Sequence, residues 1–193
     1  AGNSASAPRP FSVDTVAPTV TITSGPNGPT NDNTPTFGFT TGGSPATVVC
    51  TVGAQTASCP GGNFTAAQLG DGSYTFTVTV TDAAGNSASA PRPFSVDTVA
   101  PTVSITSGPT GPTTDTTPTF DFTVGGSPTT RTCSVGAQSG ACVTSYTPTA
   151  LADGNYTFTV TVADAAGNSA TATRPFSVDT QAPTANIMTG PNG

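Results

Sequence analysis

Apolar residues and hydroxyl-bearing residues alternate along several short stretches of this chain. In residues 74–81 one tyrosine, one phenylalanine and two valines each precede a threonine. Because successive side chains of a strand point to opposite faces, this pattern predicts strands with an apolar inner face and a threonine-rich outer face. Similar alternation marks Val20, Ile22, Phe37, Phe39, Cys50, Val52, Phe94 and Val96. About seven short strands, with Gly/Pro/Asn turns every 8–12 residues, favour an all-β immunoglobulin-like sandwich.

The strand pattern repeats along the chain. Residues 1–20 recur unchanged at 84–103 and recur with a few substitutions at 166–185. The spacing is therefore 83 and then 82 residues, and the missing residue follows the last cysteine. Such close copying predicts a tandem array with further copies beyond this sequence.

The repeat sets the expected domain boundaries. A short proline-containing linker, Asp-Thr-Val/Gln-Ala-Pro-Thr, separates the copies, because proline before a strand fixes the chain and removes a hydrogen-bond donor. We predict two whole domains, repeat 1 (residues 16–98) and repeat 2 (residues 99–180). Residues 1–15 are predicted to be the last strand of a preceding repeat, and residues 181–193 the first strand of a following one.

Composition excludes several classes of function. Charged residues make up 7% of the 193 residues, all of them arginine or aspartate, and the net charge is −6. Without a basic cluster, neither nucleic acid nor an anionic membrane is an expected partner. Without His, Lys or Glu, general-base and nucleophilic catalysis lack their usual groups, so we predict no enzyme activity and no required cofactor. The sequence has no apolar run of about 18 residues, so no membrane span is predicted.

The four cysteines form two equivalent pairs. Cys50 and Cys59 flank a predicted hairpin turn, and Cys133 and Cys142 flank the same turn in repeat 2. We predict one disulfide within each repeat, worth roughly 2.5–3 kcal/mol for so short a loop. A zinc site or a reactive thiol pair is disfavoured, because each repeat has two cysteines, no histidine and no evident nearby cation. Disulfides indicate an oxidising, extracellular setting.

Two acidic turn motifs recur in both repeats. Asp71 and Asp153 precede a glycine just before Tyr74 and Tyr156, which predicts a corner that the aspartate caps locally and the tyrosine locks. Asp82 and Asp164 open an Asp-Ala-Ala-Gly-Asn hairpin. In each hairpin the glycine is expected at positive φ. These glycines are Gly85 and Gly167.

These motifs together resemble the bacterial immunoglobulin-like (Big) repeats of cell-surface proteins. The resemblance rests on Val-Asp-Thr-x-Ala-Pro-Thr at 13–19, 96–102 and 178–184, on the Leu-x-Asp-Gly-x-Tyr corner and on the Asp-Ala-Ala-Gly-Asn hairpin. It covers essentially the whole chain. It implies a sandwich fold and a role in large surface adhesins, stalks or extracellular fibres, without implying a particular ligand.

Calcium binding is the most specific alternative to a purely structural role for the aspartates. Related surface repeats stiffen their junctions with calcium, and the ion takes six to eight oxygen ligands. Topology predicts that Asp164 and the linker residue Asp97 approach one junction from repeat 2, while Asp71 and Asp32 approach it from repeat 1. No dense Asp-x-Asp-x-Asp loop supports this hypothesis.

Three functions remain open at this level. The first is a structural or adhesive rod, a stalk segment of a large repetitive surface protein whose partners are neighbouring repeats and a host or environmental surface. The second is an extracellular filament assembled by lateral packing or by strand complementation between identical chains. The third is an accessory module of a secreted enzyme or phage particle. Alternation assigns the aromatic residues to the core, which disfavours a carbohydrate platform. Threonine-rich faces and two Asn-x-Thr sites leave glycosylation open.

Overall fold

The chain folds into two β-sandwiches, described by a computed structural model that covers residues 1–186. It divides between Thr98 and Val99 into two compact units. Across the described residues each repeat contributes eight strands. Those of repeat 1 are β1 (Thr19–Ser24), β2 (Pro29–Thr30), β3 (Thr36–Gly42), β4 (Thr47–Val52), β5 (Gln55–Ser58), β6 (Asn63–Thr65), β7 (Gly72–Thr81) and β8 (Ser87–Val96).

Repeat 2 has the same strands in the same sequence order. They are β9 (Thr102–Ile105), β10 (Pro112–Thr113), β11 (Phe120–Gly125), β12 (Thr130–Val135), β13 (Gln138–Ala141), β14 (Ser145–Tyr146), β15 (Gly154–Ala163) and β16 (Ser169–Val178). The prediction of an all-β tandem of immunoglobulin-like sandwiches is confirmed.

Each sandwich packs a three-stranded sheet against a five-stranded sheet. In repeat 1 the orders are β1-β3-β6 and β2-β8-β7-β4-β5, and in repeat 2 they are β9-β11-β14 and β10-β16-β15-β12-β13. Neighbouring strands are antiparallel except that β2 lies parallel to β8 and β10 parallel to β16. The sequence predicts only a turn-rich connection at 24–29, because a two-residue strand carries no periodic signal.

The core consists of the apolar positions that the alternation predicts. Phe76, Val78 and Val80 of β7 are fully buried, whereas Thr75 and Thr79, which alternate with them, are exposed. Phe37 from the smaller sheet stacks on Phe76 with ring centroids 4.1 Å apart. The matching rings of repeat 2, Phe120 and Phe158, lie 4.4 Å apart. Stacked aromatic rings join the two sheets at the centre of each sandwich.

The long strand pair fixes the two ends of repeat 1. The ten residues of β7 pair with the ten residues of β8 from Gly72–Val96 at one end to Thr81–Ser87 at the other. At the Thr81 end, the side-chain Nδ2 of Asn86 donates to Asp14 O, in the segment that precedes β1. We call this the leading end, and the Val96 end the trailing end.

The two terminal segments have no strand in the described structure. Residues 1–18 are irregular, and Phe11 and Val13 are 88% and 76% exposed. Their predicted place in a preceding repeat stays a prediction. The same holds for the first strand of a following repeat at 181–193, of which residues 187–193 lie outside the described range.

Candidate functional site

Both predicted disulfides are present. Cys50 bonds to Cys59 and Cys133 to Cys142, with Cα–Cα distances of 6.0 and 5.9 Å. Cys50 is in register with Ala57, and Cys59 N donates to Val48 O, so the bridge runs diagonally across β4 and the strand beside it. It therefore fastens the edge strand β5 to the five-stranded sheet.

The tyrosine corner is also confirmed. Tyr74 Oη donates to Gly70 O at 2.9 Å, and Tyr156 Oη donates to Ala152 O at 3.0 Å. Each bond spans four residues and holds the chain as it turns into the long central strand. Both tyrosines are half-buried and pack against the core.

The aspartate of this corner acts over a longer range than predicted. Asp71 Oδ1 accepts hydrogen bonds from Thr98 N at 3.0 Å and Thr98 Oγ1 at 2.9 Å, instead of bonding its own turn. Asp153 binds Thr180 with the same two distances. The Thr180 hydroxyl is the main cause that holds the pKa of Asp153 below its usual value. The local-cap interpretation is wrong for both aspartates, which instead tie the start of the linker to the body of the repeat.

The Asp-Ala-Ala-Gly-Asn hairpin matches its prediction. Asp82 Oδ1 accepts from Ala84 N and Asn86 N, and its Oδ2 accepts from the Asn86 amide, all at 2.9 Å. Gly85 and Gly167 have φ of 96° and 95°, a region that L side chains rarely adopt. The Asn86 amide is the main cause that lowers the pKa of Asp82 despite partial burial, and Asn168 does the same to the pKa of Asp164.

An arginine closes one edge of each sandwich. Arg92 on β8 donates from Nη1 to Gly25 O at 2.9 Å and from Nη2 to Ile22 O at 3.0 Å. The two acceptors belong to β1 and the residue that follows it, in the other sheet. Arg174 makes the same two bonds to Gly108 O and Ile105 O. We call this arrangement the arginine clasp.

A glutamine closes the opposite edge. Gln55 Oε1 accepts from Ala67 N at 2.7 Å, and its Nε2 donates to Ala67 O at 3.0 Å. Gln138 makes the same pair of bonds to Thr149. The side-chain amide thus pairs with the main chain as a peptide group of a neighbouring strand would. It ties β5 to the connection after β6. We call this arrangement the glutamine clasp.

Sequence reasoning missed both clasps, although one signal was present. The arginine recurs in each copy of the repeat at Arg9, Arg92 and Arg174. It lies two residues before Phe94 or Phe176, so strand alternation places it on the inner face. A charged residue at an inward position needs a hydrogen-bonding partner, so this arginine could have predicted a contact such as the clasp.

Three of the four carboxylates in the calcium hypothesis, those of Asp32, Asp71 and Asp164, accept other hydrogen bonds. Asp32 Oδ1 accepts from Thr34 N and Thr34 Oγ1, and Asp97 N donates to Thr30 O. Asp32, Asp71 and Asp97 all lie at the trailing end of repeat 1, whereas Asp164 lies in the hairpin of repeat 2. Within residues 1–186 no three His, Cys, Asp or Glu side chains are grouped to hold a metal ion. The calcium site stays a hypothesis, which melting curves with calcium and with chelator would test.

The sequence model of the bacterial Ig-like domain matches residues 6–98 and 104–180. The chain belongs to the bacterial Ig-like domain family. The tandem repeats, the sandwich fold and the disulfide in each bacterial Ig-like domain all agree with this assignment. No curated protein matches the chain in sequence.

Solved structures resemble this pair of bacterial Ig-like domains at low sequence identity. The fibronectin(III)-like modules of Clostridium thermocellum CbhA align with a TM-score of 0.59 at 14% identity, covering 89% of this chain and 100% of theirs. A tetra-tandem repeat from the extending region of a large adhesion protein aligns at 20% identity and TM-score 0.36, covering 85% of this chain and 49% of its own. The Bacteroides ovatus mixed-linkage glucan protein SGBP-B, solved with a heptasaccharide, aligns at 16% identity and TM-score 0.37, covering 85% and 48%. The CbhA likeness shows the fold alone.

Family and fold limit the general class of the protein. Bacterial Ig-like and fibronectin-like domains are in general non-catalytic modules, and disulfide-bonded members are typical of surface or secreted proteins. That this chain catalyses no reaction stays a prediction. In the described part of the chain no helix has the length and apolar character needed to cross a membrane.

Proposed function

We propose that this chain is a segment of an extracellular structural rod, a stalk that holds another part of a large bacterial surface protein at a distance. The observation that carries the proposal is the path of the chain through repeat 1. Asp14 lies against the hairpin at the leading end, and Thr98 is bound by Asp71 at the trailing end. The chain therefore enters and leaves at opposite ends of ten-residue strands.

This path makes each repeat a unit of length. Ten residues of β-strand span about 33 Å, so every added repeat extends a linear array by at least that distance. The Asp71–Thr98 and Asp153–Thr180 bonds fix the second linker residue to each body, which shortens the free part of the linker. Disulfides, arginine clasps and glutamine clasps fasten the edge strands, which suits a domain that carries tension between its two ends.

Small-angle scattering tests the rod directly. A chain of two repeats and a fused chain of four repeats should differ in maximum dimension by about 66 Å or more, from two further repeats of about 33 Å each. Asp71→Ala, which frees Thr98, should broaden the distance distribution, with Asp121→Ala as a surface-aspartate control outside the linker. An equal maximum dimension for two and four repeats would contradict the proposal.

Strand complementation between chains is the second candidate, and one observation favours it. Residues 1–13 are identical to residues 84–96, where Phe94 and Val96 are 4% and 2% exposed, whereas Phe11 and Val13 are 88% and 76% exposed. The same sequence thus exists once as a paired strand and once without a strand partner. In any strand exchange, residues 1–13 of one chain must compete with β8 of another. β8 has the higher effective concentration because it belongs to the same chain as the sheet it completes. Concentration-dependent sedimentation that Phe11→Ser/Val13→Ser abolishes would support the filament, and a monomer at all concentrations would oppose it.

A further inference from the structure

The arginine clasp joins the two segments by which the chain enters and leaves each repeat. In repeat 1 the entering segment runs from β1 to β2, and the leaving segment is β8. The side chain of Arg92 on β8 is partly buried and donates to Ile22 O and Gly25 O of the entering segment. A pull on the two ends of the chain therefore acts on opposite sides of this clasp.

Backbone hydrogen bonds join the same two segments at the trailing end. Strand β2 lies parallel to β8, with Thr30 in register with Val96. Ser95 N donates to Gly28 O at 3.2 Å. Asp97 N, in the first residue after β8, donates to Thr30 O at 3.0 Å. These bonds therefore lie at the point where tension in the following linker reaches the repeat.

Tension between the chain ends would load these bonds in shear. Strands β2 and β8 both run toward the trailing end, because they are parallel and the chain leaves β8 there. A pull draws the entering segment toward the leading end and β8 toward the trailing end, so the two segments slide along their length. Bonds that cross between sliding strands resist together, whereas strands that are peeled apart lose their bonds one at a time.

Repeat 2 has the same set of bonds. Arg174 donates to Ile105 O and Gly108 O, Ser177 N donates to Gly111 O at 3.2 Å, and Asp179 N donates to Thr113 O at 2.9 Å. The disulfide and the glutamine clasp of repeat 1 join residues between 50 and 67, which are neither the entering nor the leaving segment. Three kinds of fastening thus divide into one that tension reaches first and two that it does not.

We propose that the arginine clasp is a mechanical clamp, which together with the pairing of β2 with β8 and of β10 with β16 sets the tension at which each repeat unfolds. The disulfide and the glutamine clasp stabilise the folded repeat without setting that tension. This inference adds resistance to force to the proposed spacing role. It rests on that role only in that tension reaches a repeat through its two ends.

Unfolding of the full chain under constant tension, held at both ends in optical tweezers, tests the clamp. Arg92→Met/Arg174→Met should shorten the lifetime of the folded repeats under a fixed tension by about tenfold or more, because bonds to a charged group are the stronger ones and forced unfolding follows the unfolding rate.

Reduction of the disulfides gives a second reading from the same experiment. It should leave the lifetime of the folded repeats unchanged. Each unfolding step should lengthen by about 25 Å, since each bridge short-circuits a sequence separation of 9 residues at about 3.4 Å each, while its Cα atoms lie 6.0 or 5.9 Å apart.

Two matched variants separate the clamp from general stability. Gln55→Met/Gln138→Met removes the two bonds of each glutamine clasp and should lower the melting temperature, yet change the lifetime under tension by less than about threefold. Arg131→Met removes an arginine whose Nη1 donates to Val143 O at 3.2 Å and whose buried Nε has no partner, so it should leave the lifetime unchanged.

The lysine variant Arg92→Lys/Arg174→Lys keeps the charge but not the fork of two N–H groups, and it should give an intermediate lifetime. An unchanged lifetime in the arginine variants, or an equal loss in the arginine and glutamine variants, would overturn the clamp. The arginine variants should keep the maximum dimension of the parent chain in scattering. Failure of the clamp would therefore leave the rod standing, and failure of the rod would not alter the lifetimes under tension.

Discussion

The two repeats share their framework, and the corner beside the disulfide differs between them. In repeat 1 that corner contains Val48, Cys59 and the loop Pro60-Gly-Gly, where Gly62 has a φ of 77°. In repeat 2 the loop is one residue shorter and contains Val143 and Thr144, and Arg131 replaces the valine. Both loops still deliver a backbone acceptor to β3 or β11, since Gly62 O and Thr144 O accept from Phe39 N and Phe122 N at 2.9 Å.

The exposure of the second cysteine separates the parts of the domain that packing fixes from those that vary. Cys59 is 6% exposed in repeat 1, whereas its equivalent Cys142 is half-buried in repeat 2. This corner of the five-stranded sheet is thus more exposed in repeat 2, while the stacked phenylalanine pairs Phe37–Phe76 and Phe120–Phe158 are kept at the centre. In the loop, variation is tolerated because the side chains meet solvent, as that of Val143 does at 68% exposed, and there the cost of a lost contact is small.

The largest expected loss of stability comes from substitutions among the stacked aromatic rings at the centre of each repeat. Phe76→Ala and Phe158→Ala each remove a fully buried ring and should each destabilise their own repeat by about 3–5 kcal/mol. The two losses should be similar, because each ring stacks on two aromatic neighbours, Phe37 and Phe64 in repeat 1 and Phe120 and Tyr146 in repeat 2. Hydrogen exchange with mass spectrometry resolves the repeats separately. A loss in one repeat much smaller than in the other would break the equivalence of the two cores.

The disulfides should reveal the difference at the corner. Removal of either disulfide by a paired Cys→Ala substitution should cost roughly 2.7 kcal/mol in the repeat that carries it. Reductant should reach the Cys133–Cys142 bridge first, because Cys142 is more accessible than Cys59. Alkylation of the native chain over time, followed by mass analysis, gives both rates. Faster reduction of Cys50–Cys59 would contradict the accessibility argument.

The arginines should separate into two classes. Arg92→Met and Arg174→Met each remove two charge-assisted bonds to carbonyl groups and should destabilise by about 2 kcal/mol. Arg131→Met removes one bond together with the unpaired Nε, so its effect should be near zero. Thermal unfolding of the full chain measures all three. Equal losses at all three arginines would remove the distinction between the two clasp arginines and Arg131.

Acid should weaken both repeats in the same direction. The folded-state pKa values of Asp82, Asp164 and Asp153 lie below the usual 3.8. Their hydrogen bonds therefore contribute fully above about pH 4, and the contribution is lost as the pH falls through the folded-state pKa values. The melting temperature should stay nearly constant above about pH 4 and drop as the pH falls below it. The variant Asp82→Asn/Asp164→Asn, which removes two of these titrations, should flatten the curve.

Strand alternation is the reason that the strands and the core could be predicted from the sequence. Residues 74–81 have an unbroken period of two, and every inward residue of that stretch packs in the core. Asp71 was assigned to the wrong partner because Thr98 lies 27 residues away in sequence. Sequence spacing reports local turns well, but it does not identify which distant backbone group a side chain reaches.

The repeat, the strands, the inward and outward faces and the cysteine pairing follow from the sequence alone, because each of these depends on short-range periodicity or on neighbouring strands. Tertiary structure decided the two clasps, the anchoring of Thr98 and Thr180, and the unpaired Nε of Arg131. These features join residues from different sheets or from distant strands. Their partners are mostly backbone carbonyl and amide groups, which every residue carries and which leave no mark on the sequence.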